Sequence, residues 1–164
     1  MLDRSSAPPR ILAAALTLAL AGCSGGFPAD PDGTLARIKA DGVLRAGAAP
    51  HPPQVEIPAP GAESTGNEVE PVEAYGEHLG VDVEWIVGTE STLFEALHGG
   101  EVDLVVGGLQ HNSLFASEAG FTRPYLEETA SDGEETIKRV MATPWGENAL
   151  LTDLERFLDE EAGW

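Results

Sequence analysis

Apolar positions along this 164-residue chain fall into one long run followed by short segments whose period switches between strand and helix. The run, Ile11 to Ala21, is about half the ~20 residues a membrane-spanning helix needs, and Arg4 and Arg10 precede it, as in an export signal. Ser24 to Asp32 is rich in glycine and proline and predicts a tether. Thr34 is placed to cap a short helix with Leu35 and Ile38 on one face, stopped by Gly42. Val43 to Ala49 reads as a strand, and the prolines between His51 and Ser64 demand irregular chain. Pro71 fits the first helical position, with Glu70 near the cap, and the helix runs to Leu79 with Gly80 turning its end. Val81 to Val87 alternates as a strand. Thr92-x-x-Glu95 has the form of a capping box for a helix carrying Leu93, Phe94 and Leu97, stopped by Gly99-Gly100. Val102, Leu104, Val105 and Val106 form the nearly continuous apolar run of a strand covered on both faces. Lys138 to Thr143 predicts a last strand, and Leu150, Leu151, Leu154, Phe157 and Leu158 fall at helical spacing on one face.

Two strand–helix–strand units in succession predict an α/β fold with a mostly parallel sheet flanked by helices. There is no internal repeat. Removing residues 1–22 leaves 142 residues, enough for one domain with its own core. The formal charge of −19 becomes −20 without that segment, which excludes binding to nucleic-acid phosphates and disfavours direct adhesion to anionic lipid headgroups. Such acidity suits a solvated surface, a cationic ligand or a basic partner.

Leu20-Ala21-Gly22-Cys23 resembles the lipobox of bacterial lipoproteins, whose cysteine is lipidated and becomes the first mature residue. Cys23 is the only cysteine, so no internal disulfide can form, and lipidation is the natural use of a lone exported thiol. The expected organisation is a signal peptide over 1–22, a tether over 23–33 and one lobe over 34–164. Its expected location is the periplasmic side of a bacterial membrane. Ser24 is not the aspartate that commonly signals inner-membrane retention, so the outer membrane is favoured where there are two.

The strings TLARIKADGVLRAGAAPHPP, GNEVEPVEAYGEHLGVDVEW, LFEALHGGEVDLVVGG and FTRPY resemble, in order and spacing, the first lobe of family 3 periplasmic solute-binding proteins, the polar-amino-acid type of ABC importers. RVMATPWGENALLTDLERFL looks like that family's last strand and helix. The resemblance implies one lobe of a type II periplasmic-binding-protein fold. Only residues 126–137 stand where the family inserts a whole second lobe, so this stretch is expected to be a short linker.

The same resemblance says what the ligand face lacks. The family's aromatic residue after the Pro-Pro turn is replaced by Gln54 and Val55, and a second aromatic by Glu90. The Thr-x-x-Arg pair that clamps a ligand carboxylate aligns with Asn112 and Phe115, and phenylalanine has no donor. Asp103 matches a family aspartate read as structural. The expected open face comprises His51, Gln54, Glu90, Gly107, Gly108, Gln110, Asn112 and Phe115, at the strand ends where open α/β sheets bind ligands.

His51, His111 and Glu90 include metal-compatible donors, but their spacing fits no metal motif, and no metal or cofactor is implied. His78 and His98 fall near helix ends and suit the C-terminal dipole. Glu68, Glu70, Glu73 and Glu77 read as a solvated helix face. Trp145, just before a helix, reads as a packing residue. No Ser/His/Asp or Cys/His arrangement is recognisable, and GGLQHN lacks the lysine and glycine spacing of a phosphate loop. The functional expectation is a non-enzymatic, lipid-anchored binding or accessory protein whose open face meets a protein partner or a second copy. Capture of a small, cationic solute for import, a dehydratase-like enzyme and a functionless remnant are the alternatives.

Overall fold

The computed structural model describes residues 30–56, 65–130, 133 and 136–162. The export signal, Cys23, most of the tether and much of the proline-rich loop lie outside the described residues.

Helix α1 (Thr34–Asp41) leads into strand β1 (Val43–Ala48); α2 (Val69–Leu79) leads into β2 (Asp82–Val87); α3 (Glu90–His98) leads into β3 (Leu104–Val106). A 3-10 turn (Leu114–Ser117), β4 (Gly120–Phe121), β5 (Leu126–Thr129), β6 (Thr136–Arg139), β7 (Ala142–Thr143) and α4 (Asn148–Ala162) complete the chain. The main sheet has the order β2-β1-β3-β7-β4. β1 is parallel to both β2 and β3, as the two strand–helix–strand units predict, while β7 runs antiparallel to β3 and β4.

Alternation along the strands divides the core in two. Leu44, Ala46 and Ala48 of β1 and Leu104 and Val106 of β3 share one cluster with Ile38, Val72, Tyr75, Leu154 and Phe157, so α1, α2 and α4 cover that face. Val105 and Ala142 meet Leu93, Phe94 and Leu97 of α3 on the other. Gly47 is the close approach there: a Cβ would sit 3.0 Å from Leu93 Cδ2 and 3.3 Å from Val105 Cγ2.

Several element boundaries differ from the sequence expectation. The cap position of α1 is Gly33, which has no side chain, and Thr34 is the first helical residue. The capping acceptor comes from far away: Glu147 takes the Asp32 and Thr34 amides, each at 2.9 Å. α2 begins at Val69, so Pro71 lies at the third helical position, still within the first turn, where a missing N–H costs no helical bond. α3 begins at Glu90 and is capped by Thr89, whose hydroxyl accepts from the Thr92 amide at 3.3 Å; the expected Thr92 cap was one turn too late. Lys138 to Thr143 is two strands, because β6 pairs with β5 in a separate hairpin before β7 joins the main sheet. Residues 126–137 thus supply β5 and the start of β6. α4 docks through the expected stripe: Leu150, Leu154, Phe157 and Leu158 are all buried.

Glu147 also faces Asp30. Burial, then the hydrogen bond and charge of Glu147, push the Asp30 carboxyl up to about 6. Burial opposes ionisation of Glu147 as well, but the bonds from Asp30 and from the Asp32 and Thr34 amides hold it below the usual carboxylate range. Since Asp30 is raised in the fold, its contribution to stability is full below the unfolded carboxylate value and is lost as pH rises through about 6. Asp30→Asn keeps a donor for Glu147 without the charge. Thermal melts at pH 5 and 7.5 should show the variant gaining on the parent at the higher pH; an undiminished fall in its melting temperature between them would contradict this.

Candidate functional site

The C-terminal ends of the parallel strands carry the residues expected to form the open face, and the polar groups of Gly107, Gly108 and Gln54 are bonded to two glutamates, Glu68 and Glu128. β3 ends in Gly107 and Gly108, both at positive φ (140° and 74°). A Cβ at Gly107 would strike the Ala49 carbonyl, and one at Gly108 would strike the His51 ring, so neither position tolerates a side chain. Their consecutive amides point the same way, a backbone arrangement that binds anions. Both donate to Glu68 Oε2, each at 2.8 Å. Glu68 is fully buried, which corrects its assignment to a solvated face; Glu70, Glu73 and Glu77 of the same group are exposed. Tyr125 stands beside it: burial first, then the Glu68 charge, push its phenol far above the usual range, and its hydroxyl has no hydrogen-bond partner among the described residues.

The turn through Pro52 and Pro53 is closed by reciprocal bonds between His51 and Val55, both 3.0 Å, and turns Gln54 inward to 3% exposure. Gln54 Nε2 donates to the two oxygens of Glu128 on β5, at 3.0 and 2.9 Å. Arg139 on β6 donates from Nε to Glu128 Oε2 at 2.9 Å and from Nη1 to the Gly108 carbonyl at 2.6 Å. The hairpin is thereby tied across the strand ends, and the arginine is spent on its own chain. Its side chain is only 5% exposed.

The remaining expected residues are divided. His51 lies over Gly108 at the surface, and Gln110 forms an isolated bridge with Arg139. Asn112 is exposed. Glu90 is exposed at the start of α3, with the Ser113 hydroxyl 3.4 Å away. Phe115 is not an open pocket wall: its ring stacks on Phe94 at 4.3 Å and 11°, joining the core beneath α3. Leu114, beside it, is 92% exposed. Among the described residues no three His, Cys, Asp or Glu side chains converge to hold a metal.

Asp103 lies at the other end of β3. Fully buried, it is paired with Arg37 at 2.6 Å and Arg45 at 2.8 Å, and it accepts from the Arg45 amide, so it braces β1, β3 and α1 away from the face. His98 donates from Nδ1 to the Phe94 carbonyl at the end of α3, as its helix-end position implies. His78 packs on Tyr75 and Phe157.

The sequence missed Glu68, Tyr125, Glu128 and Arg139. Residues 44–160 match the family model of bacterial extracellular solute-binding proteins, family 3. The chain belongs to this family. Membership places it outside the cytoplasm, and no described helix is long and apolar enough to cross a membrane. Membrane-bound lytic murein transglycosylase F from two strains of Vibrio cholerae serotype O1 is 35% identical over 98 residues, 59% of this chain. The matched stretch is only 18% of that relative's length. Among solved structures, the arginine-bound form of domain 1 from TmArgBP superposes with a TM-score of 0.66 at 22% identity, covering 76% of this chain and 97% of that one. AncCDT-1, an ancestral cationic amino acid solute-binding protein, gives 0.69 at 15% identity, covering 79% and 94%. These likenesses establish the fold, a single solute-binding lobe with a mixed sheet between helices.

Proposed function

We propose that this family 3 lobe is a lipid-anchored, non-enzymatic binding or accessory protein of the bacterial envelope, and not a receptor for free amino acids. The observation that carries the reading is the internal use of its charged groups: the Gly107 and Gly108 amides hold Glu68, and Arg139 holds Glu128. A ligand carboxylate would have to displace a buried glutamate from both amides. One lobe alone does not decide the matter, since domain 1 from TmArgBP is described in an arginine-bound form. The replacement of the clamp by Asn112 and Phe115, which the resemblance to the family implies, supports the reading.

The occupant we favour is a protein partner or a second copy of this chain, and Leu114, 92% exposed between Asn112 and Phe115, is the apolar side chain it would cover. Capture of a cationic solute is the second reading, supported by exposed Glu90 and by the net charge. Anchoring follows from the Leu20-Ala21-Gly22-Cys23 string, and the name of the Vibrio relative, itself membrane-bound, agrees with it.

A photo-reactive residue in place of Leu114, introduced into the chain in its native envelope, tests the favoured occupant. Cross-linking to one defined protein or to a second copy is expected, and it should weaken when Cys23→Ala releases the chain from the membrane fraction. Absence of any specific product, with normal expression, contradicts a docked face.

A further inference from the structure

At the opposite end of the strands from Gly107 and Gly108 lies a second concavity, a cleft of about 310 Å³. Its floor is Leu97 and Val102, both buried, and its wall is Trp145. Trp145 was expected to pack ahead of α4, but it is 66% exposed, an unusual placement for the largest apolar side chain. Three polar groups converge on the same space: Asp32, Arg37 and His98. The His98 Nδ1 donates to the Phe94 carbonyl, which in the neutral ring leaves Nε2 as an acceptor. Arg37 is tied to Asp103 through Nη2 and keeps its other donors, its side chain being 35% exposed. Gly100, at positive φ, has open space beside it among the described residues.

The chemistry of the lining selects the ligand. A carboxylate or phosphate would meet Asp32, and the nearby amides at the start of α1 are already taken by Glu147. A cation would meet Arg37. What remains favourable is a neutral molecule with one flat apolar face to lie on an indole and a rim of hydroxyls to pair with a carboxylate, an imidazole and a guanidinium. A pyranose ring has those features, and the volume is at the lower end of the ~300–1,000 Å³ of small-molecule sites. We infer that the Trp145 cleft is a carbohydrate-binding site, separate from the solute face and taking one or two sugar rings of a neutral glycan.

The test uses the full chain in a detergent without a sugar headgroup, titrated with chitotriose, cellotriose, choline and inorganic phosphate while tryptophan emission is followed. A saturable shift with at least one of the two oligosaccharides is expected. Trp145→Ala should weaken that binding about tenfold or more, equivalent to ~1.4 kcal/mol, with an unchanged melting temperature. Trp85→Phe, which alters a tryptophan on β2 that does not line the cleft, should retain it. No saturable response to either oligosaccharide overturns the inference. So does equal binding by Trp145→Ala, or a stronger response to choline or phosphate than to both sugars.

Discussion

Replacing Glu68 by alanine should cost roughly 3–5 kcal/mol of stability, because it strands two amide donors that share one buried carboxylate oxygen. Each buried donor left without a partner costs ~1–3 kcal/mol, and Gly107 and Gly108 cannot relax freely when a side-chain-free path past Ala49 and His51 fixes their backbone. Glu68→Gln keeps one acceptor oxygen of similar shape and should recover a good part of the loss. Urea denaturation of the three proteins gives the comparison. If alanine costs less than ~1 kcal/mol, the two amides have found water and Glu68 is not their essential acceptor.

Phe157→Ala should cost a similar amount, ~3–5 kcal/mol, for a different reason. The ring is 4% exposed and packs on Tyr75 at 5.3 Å and on His78 at 5.1 Å, filling the space between α2 and α4. Truncation removes transfer energy and leaves a cavity that two helices cannot easily close. A loss below ~1 kcal/mol in the same assay would mean that α4 is not docked on the sheet.

The parts of this molecule that could be read from the sequence are those whose signal is local. The α4 stripe is a clean 3.6-residue pattern, and Leu150, Leu154, Phe157 and Leu158 are buried as it requires. The strands of β1 and β3 announce themselves by apolar runs between glycines. Boundaries failed where two residues compete for one role. Thr89 and Thr92 are both good caps, and only the fold shows that the helix starts at Glu90. Lys138 to Thr143 reads as one strand, yet the Val140 and Met141 amides bond to the Leu109 carbonyl and the Thr122 hydroxyl as the chain passes from hairpin to sheet.

The face was legible as a location and not as a network. Glu68 sits two residues from exposed Glu70, and nothing in that local pattern reports two amides 39 and 40 positions away. Glu128 lies in a stretch that was expected to be a short linker and Arg139 in the expected last strand, and only the hairpin pairs their strands. Phe115 was expected on the open face, and its ring instead serves the core with Phe94.

The backbone amides and the arginine of the solute face that could hold an amino-acid carboxylate are already held by Glu68 and Glu128. Isothermal titration of the domain from Gly25 onward with a panel of standard amino acids tests this directly. A missing charged hydrogen bond is worth ~1.5–3 kcal/mol, and displacing Glu68 adds to the deficit. The expected result is no detectable heat of binding at submillimolar concentration, with basic amino acids the nearest to an exception because of Glu90. A micromolar dissociation constant for any neutral amino acid would contradict the account.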